Sequence, residues 1–199
     1  MLESILAISL GISLAAACGF RIFVPILVVS LAAKADWVTL SDSFEWVGTW
    51  PAVIAFGVAT VLEIGAYYFP WLDNLLDMAA TPAAAIAGVL VSAAFISDMH
   101  PLLAWSVAII AGGGVAGTIK TGLAGIRAGS TATTAGTANP VLTTFEWLAS
   151  LAMSLFAIVA PILAAILGLL MALVLLRFAY RLWQRLRGPR SVERPAIGE

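Results

Sequence analysis

The sequence predicts an all-α integral membrane protein with about six transmembrane helices, arranged as two inverted three-helix repeats with broken or kinked helices. First, 62% of its 199 residues are hydrophobic and 11% are charged, whereas soluble domains are about 45–50% apolar. Second, the mean hydropathy is +1.04. Third, one glycine-arginine pattern occurs in both halves of the chain. Because each crossing takes about 20 residues, we expect one transmembrane bundle over residues 1–187 and a disordered basic tail over residues 188–199.

The first predicted span, Ile5 to Ala33, contains an arginine where a membrane helix should be apolar. Arg21 lies between Gly19 and Pro25, near the middle of the span. An arginine at mid-bilayer costs about 2.5–3.5 kcal/mol, so it normally faces protein or water and pairs with an acid. Pro25 removes a backbone hydrogen bond and kinks a helix. We therefore expect this span to consist of two half-helices.

The rest of the first half contains two further predicted spans. A tryptophan-rich connector over residues 34–50 should lie along the membrane interface, where such aromatic residues are favoured. The second span, residues 52–69, contains the acidic residue Glu63. A short amphipathic link over residues 71–77 then precedes the third span, residues 82–96.

The second half repeats this organisation with a polar interruption. The fourth span starts at Leu102 and is followed by a run of small residues, 128–139. Two interpretations of this run are open: a loop outside the membrane, or a segment inserted between helices. Residues 141–180 are almost wholly apolar and about twice the length of one span, so Pro161 should separate a fifth helix from a sixth.

The basic residues predict the orientation. Six of the ten Lys and Arg residues lie between Arg177 and Arg194, and basic residues next to spans stay on the cytoplasmic side. An even number of spans then places both termini in the cytoplasm. The segment also predicts contacts with anionic lipids. A membrane anchor explains the pattern without nucleic-acid binding, which we do not expect.

A possible internal repeat relates residues 1–97 to residues 98–176. Gly11-x7-Gly19-Phe20-Arg21 resembles Gly117-x7-Gly125-Ile126-Arg127, and an acid, Glu63 or Glu146, follows in the next span. Three spans per repeat would invert the second copy, as in many secondary transporters with a site near the bilayer midplane. Chance similarity between helices rich in glycine and alanine is the alternative explanation.

Three segments also support a family resemblance. They are Gly19-Phe20-Arg21-x3-Pro25, Glu63 with Pro70-Trp71-Leu72-Asp73, and Gly125-x-Arg127 with Asn139-Pro140 and Glu146. Together they resemble an uncharacterised bacterial membrane family, domain of unknown function 4126, over about residues 10–167. The resemblance implies a multi-span protein of the bacterial inner (cytoplasmic) membrane. It brings no activity, substrate or catalytic residue.

The candidate binding site consists of the charged residues inside predicted spans: Arg21, Glu63, Lys120, Arg127 and Glu146. We expect Arg21 to pair with Glu63, and Arg127 with Glu146. In a transport site the arginines hold an anionic group while a buried glutamate gains and loses a proton. The alternative is two structural salt bridges that fix helix packing. Lys120, two turns before Arg127 on the same face, either extends the cationic lining or reaches the interface.

The sequence argues against an enzyme. Its one histidine, His100, lies in a predicted turn, so we do not expect a Ser-His-Asp constellation. Its one cysteine, Cys18, excludes a cysteine metal cluster within one chain. We predict no catalytic, cofactor or metal site. The favoured function is transport of a small solute or ion, unidentified from the sequence. A channel and a non-transporting structural or lipid-organising protein are the alternatives, and small-residue helix faces also favour a homodimer.

Overall fold

In a computed structural model, which describes residues 2–68, 70–97 and 99–186, every regular element is a helix. The predicted all-α class is thus confirmed, and the predicted tail over residues 188–199 lies outside the described residues. The elements are α1 (Leu2–Phe20), α2 (Phe23–Lys34), a 3₁₀ helix (Asp42–Gly48), α3 (Trp50–Ala66), α4 (Pro70–Ala93), α5 (Pro101–Val107), a π-helical turn (Ala108–Gly113), α6 (Gly114–Thr134), α7 (Asn139–Val159) and α8 (Pro161–Leu186).

Four helices of the described chain are long and apolar enough to cross a membrane. They are Leu2–Phe20, Pro101–Thr134, Asn139–Val159 and Pro161–Arg181. A fifth span results if Asp42–Gly48 and Trp50–Ala66, which are bent by 68°, count as one. These helices are consistent with a membrane-spanning protein, but the predicted count of six spans is not confirmed. Helix α2 and the apolar part of α4 are shorter than a full crossing.

Helix α1 lies at the centre of the bundle and packs against α4, α6, α7 and α8. Its alanines 15, 16 and 17 are fully buried, and such small side chains let membrane helices approach closely. The Ser150 hydroxyl of α7 donates to the carbonyl oxygen of Ala17 at 3.0 Å. The C-terminal half of α1 is therefore enclosed on all sides, which places the following residue, Arg21, inside the protein.

The first predicted span is broken at Arg21 and Ile22, between α1 and α2. This confirms the two half-helices. Pro25, however, is not at the break but in the first turn of α2, where a missing N–H removes no intrahelical bond. The position of the break must therefore depend on the contacts that Arg21 and its neighbours make.

The chain turns back at this break. Ile22 and Ala83 line the same two cavities, and the backbone N–H of Ser41, beyond the end of α2, donates to the Ala94 carbonyl at 2.8 Å. Helix α2 thus faces α4 across these cavities and runs in the same direction as α4. Helix α1 runs the opposite way: Gly11 at its middle packs on Ser92 near the end of α4, whereas Gly19 near its end lies against Ala116, which packs on Gly88 earlier in α4. The predicted first span is a helical hairpin rather than one crossing.

Helices α1 and α6, which carry the two glycine-arginine patterns, run in the same direction. Ser92 of α4 lies against Gly11 of α1 and against Gly112, which precedes α6, while Gly19 packs on Ile119. Residue numbers therefore increase in the same direction along both helices. Segments related by inversion would run in opposite directions, so the predicted inverted repeat is not confirmed.

Helix α8 also runs parallel to α1. Gly168 of α8 packs on Ala16 of α1, and Leu175 packs on Gly122, which follows Ile119 along α6. The start of α1 and the end of α8 consequently lie at opposite ends of the bundle. This arrangement does not confirm the prediction that both termini are cytoplasmic.

Two predicted connections have a different conformation in the structure. The predicted link over residues 71–77 is part of α4. Most of the small-residue run 128–139 extends α6 to Thr134, and the chain then turns over residues 135–138. Ala135 and Gly136 have φ of 52° and 83°, and such left-handed residues commonly end a helix. The predicted break at Pro161 is confirmed, since α8 begins there.

Gly88 provides a test of the close contact between α4 and α6. A Cβ at Gly88 would lie 2.6 Å from the Ala116 Cβ and 2.7 Å from the Gly112 carbonyl oxygen. We expect Gly88→Ala to destabilise the protein by about 1–3 kcal/mol through overpacking. Gly125→Ala is the control, because nothing lies within 4 Å of its Cβ position, and it should be neutral or slightly stabilising. Thermal unfolding in detergent would compare them; equal melting temperatures would contradict the packing.

Candidate functional site

The two arginines of the site share one carboxylate. Arg127 Nη2 donates to both Glu146 oxygens at 2.7 Å, and Arg21 Nη2 lies 2.8 Å from Glu146 Oε2. The exposed fractions are 0% for Arg21, 4% for Arg127 and 3% for Glu146. The predicted pair of Arg127 with Glu146 is therefore confirmed. The arrangement also satisfies the requirement that buried charges be paired.

Glu63 caps α2 instead of pairing with Arg21. Its Oε1 and Oε2 accept hydrogen bonds from the backbone N–H groups of Ile22 and Phe23, each at 2.9 Å. These N–H groups belong to the start of α2 and have no partner within the helix. A carboxylate there is further stabilised by the positive end of the helix dipole. The predicted pair of Arg21 with Glu63 is wrong, because among the described residues Arg21 forms its ion pair with Glu146.

Lys120 lies on the other side of the same break. Its Nζ donates to the Phe20 carbonyl oxygen, at the end of α1, over 3.4 Å. A cation at a helix C-terminus stabilises the unsatisfied carbonyl groups. Lys120 is only 3% exposed, so it belongs to the buried site and does not reach the interface. The end of α1 and the start of α2 thus have side chains of opposite charge.

Tyr67, which the sequence analysis missed, lies at the centre of the cationic groups. Its ring centroid is 3.8 Å from Arg21 Cζ, 5.1 Å from Arg127 Cζ and 5.5 Å from Lys120 Nζ. All three distances are within the range of cation–π attraction. Tyr67 follows Glu63 by four residues and so shares its face of α3, which is the signal that could have found it. Three of the five predicted residues therefore meet around one aromatic ring.

Arg21 retains unused hydrogen-bonding capacity. A guanidinium has five N–H donors, yet Nε, Nη1 and Nη2 of Arg21 form no hydrogen bond of acceptable geometry within the described part of the chain. Its described contacts are the Glu146 ion pair and the Tyr67 ring. Buried donors left without acceptors are rare and costly. The site consequently has donors that an additional acceptor would satisfy.

A cavity of about 420 Å³ reaches one side of this site. Among the described residues, Glu63 and Tyr67 are the polar side chains in its lining, and Arg21 is not part of that lining. Since Arg21 packs against the Tyr67 ring, Tyr67 separates the cavity from the guanidinium. In this conformation the cavity reaches the acid that caps α2 but not the arginines.

The site is nearer one end of the bundle than the other. Glu146 is seven residues after the start of α7 and thirteen residues before its end. At 1.5 Å per residue, these separations are about 10 Å and about 20 Å. The charged centre is thus inside the helical layer, but it is displaced from the middle of α7.

These features define a multi-span helical membrane protein with a buried charged centre at a broken helix. The chain belongs to the family described as Domain of unknown function (DUF4126), whose family model matches residues 8–184. This match confirms the predicted family and extends beyond both ends of the predicted segment. No curated protein and no solved structure matches the chain.

Glu146→Gln tests the shared carboxylate. The substitution removes the charge that holds Arg21 and Arg127, and breaking a buried ion pair in this way costs about 3–5 kcal/mol. Glu45→Gln is the matched control, because Glu45 is exposed in the 3₁₀ helix. Chemical unfolding in detergent should give a clearly lower free energy of unfolding for Glu146→Gln alone. Equal stability of both variants would show that other groups neutralise the arginines.

Two substitutions of Glu63 separate its capping role from its charge. Glu63→Ala leaves the Ile22 and Phe23 N–H groups without acceptors, and each such buried group costs about 1–3 kcal/mol. Glu63→Gln keeps one carbonyl acceptor, so we expect it to lose roughly half as much stability. Thermal unfolding of both variants measures the difference. Identical melting temperatures for Ala and Gln would argue against the cap.

Proposed function

We propose that this protein is a transporter that moves a small anion, or a molecule with an anionic group, across the membrane. The observation that supports this most directly is Arg21, which is fully buried and has N–H donors without acceptors among the described residues. Hydrogen bonds from a guanidinium to an oxyanion are among the strongest in proteins. Arg21 is the binding residue in this proposal, with Arg127 and Lys120 supporting it electrostatically.

Glu146 is the internal competitor of the transported anion. Its carboxylate occupies the position between Arg21 and Arg127 that an oxyanion would take. Protonation of Glu146 would cancel its charge and weaken its ion pair with Arg21, which could then bind the incoming anion. One proton and one negative charge then enter the site together, which leaves its net charge unchanged. The proposed mechanism is therefore proton-coupled anion symport.

The broken helix supports the same function. In many secondary transporters the site lies where discontinuous helices expose their ends. Here the end of α1 and the start of α2 meet beside Arg21, and their caps, Lys120 and Glu63, come from two other helices. A movement of α3 or α6 would change both the caps and the position of Tyr67. Binding and conformational change are thereby linked at one place.

The proposal includes a cellular setting. We assign the protein to the bacterial cytoplasmic membrane, with the basic segment that starts at Arg177 on the cytoplasmic side, where it binds anionic lipids. Because α1 and α8 run parallel, the start of α1 would then be on the opposite side. We assign the protein no catalytic role, cofactor or nucleic-acid partner, and we retain the homodimer as part of the proposal.

A structural role for the charged centre is the competing proposal. Both Glu146 oxygens and both Glu63 oxygens already have partners, as expected of groups that only hold the break in place. The two proposals predict different roles for Arg21. A structural arginine contributes to stability alone, whereas a binding arginine determines which solutes move and how fast.

Flux measurements in proteoliposomes test the transporter. The panel comprises small anions, cations, protons and one long-chain alkyl phosphate, with pH recorded inside the vesicles. We expect anion flux accompanied by proton movement in the wild type. Arg21→Gln removes a charge-assisted hydrogen bond worth about 1.5–3 kcal/mol, so flux at subsaturating anion should fall about 10- to 100-fold. Glu146→Gln should abolish the accompanying proton movement.

Arg21→Lys and Glu45→Gln are the controls. Lysine retains the charge but loses the planar fork of donors, so it should raise the KM for the anion more than it lowers the maximal rate. Glu45→Gln should behave as the wild type. If no solute moves and the Arg21 variants are merely less stable, the transporter proposal is wrong and the structural role stands.

A further inference from the structure

A long apolar groove runs along the outside of the charged centre. Cavities of about 390 Å³ and about 420 Å³ share three lining residues, Ile22, Phe23 and Ala83, and so form one continuous groove. One wall is α4, and the other wall is α2 with α3, which packs along α2. The volumes are in the range of small-molecule sites.

The groove has the length of a hydrocarbon chain and a polar group at one end. Its lining extends along α4 from Leu76 to Ala94, just past the end of the helix, which is about 27 Å at 1.5 Å per residue. One leaflet contributes half of a hydrocarbon core that is about 30 Å thick, so the groove spans more than one leaflet. Apart from the Trp46 ring, the polar side chains of the lining among the described residues are Glu63 and Tyr67, both at the Leu76 end.

The polar end of the groove lies against the cationic groups. Tyr67 forms part of the groove wall, and the Arg21 guanidinium, which is not in the lining, lies 3.8 Å from the centre of the Tyr67 ring. The Glu63 charge is compensated by two backbone N–H groups of α2. An anionic head at this end would therefore face Arg21 once Tyr67 turns aside, while its chain extends along α4.

We propose that the substrate is a single-chain amphiphile with an oxyanion head, whose chain occupies this groove and whose head binds Arg21. This inference rests on the proposed function and names the substrate class for the same site. The groove aligns the molecule and adds contacts along its chain, and the arginine selects the charged head.

Tyr67 is the element that must move for the head to bind. It follows the last residue of α3 as its C-terminal cap residue, and it is followed by a turn rather than by further helix. Rotation of its side chain would open the groove to Arg21 and would break the contacts of the ring with Lys120 and Arg127. Head binding thus couples the groove to the charged centre through a single side chain.

Binding of three probes tests the inference in the full-length protein. Hexadecyl phosphate has the chain and the charge, ethyl phosphate has the charge without the chain, and hexadecanol has the chain without the charge. Radiolabelled hexadecyl phosphate binding gives its dissociation constant, and competition against it gives those of ethyl phosphate and hexadecanol. We expect hexadecyl phosphate to bind at least tenfold more tightly than either competitor. Ala83→Phe, which fills the junction of the two cavities, should weaken binding at least tenfold, as should Arg21→Gln.

Ala152→Phe is the matched control, since it adds the same ring at an exposed position of α7 and should leave binding unchanged. Equal binding of hexadecanol, or an unchanged affinity in Ala83→Phe, would show a groove filled by ordinary lipid and would overturn the inference. A change only in oligomeric state in Ala83→Phe would make the groove an interface between copies and would also overturn it.

The two proposals fail in distinguishable ways. If small anions move through the wild type but hexadecyl phosphate does not bind, the substrate class is wrong and the transporter stands. If hexadecyl phosphate binds in the predicted manner but no solute moves, the groove is a lipid site and the transporter is wrong.

Discussion

The rest of the structure depends on one constraint: a helix that breaks inside an apolar bundle must have its free backbone groups satisfied. No water is available there, so every exposed N–H and C=O needs a partner from the protein. At the break after α1, Lys120 supplies a donor to the Phe20 carbonyl, and Glu63 accepts from two N–H groups at the start of α2. Opposite charges thus compensate opposite helix ends.

This constraint determines where the neighbouring helices lie. Helix α3 must bring Glu63 to the start of α2, and α6 must bring Lys120 to the end of α1. Arg21, left between the two helix ends, then needs a third helix, and α7 supplies Glu146. Tyr67 and Arg127 arrive with α3 and α6 because they lie on the same faces as Glu63 and Lys120. The charged centre is a consequence of the break as much as a site in its own right.

The sequence predicted the residues of the centre better than their partners. Charges in apolar segments are conspicuous, so Arg21, Glu63, Lys120, Arg127 and Glu146 could all be found. Spacing along a helix indicates which face a residue lies on, but not which neighbouring helix that face contacts. For this reason the sequence led to the wrong pair of Arg21 with Glu63. The reversal at Ile22 was also hidden, because α1 and α2 together have the composition of one long span. The prediction of six spans assumed that successive spans alternate in direction. The hairpin of α1 and α2 does not follow that pattern.

The order of synthesis has a consequence for how the hairpin of α1 and α2 enters the membrane. Glu63 follows its partner Ile22 by 41 residues, Lys120 follows Phe20 by 100 residues, and Glu146 comes later still. At about 5–20 residues per second of translation, the capping acid is made within about 2–8 s, but the counterion of Arg21 only after roughly 6–25 s. The nascent hairpin must therefore reside in the insertion machinery or at the membrane surface with an uncompensated arginine, and its final burial is a late step of biogenesis.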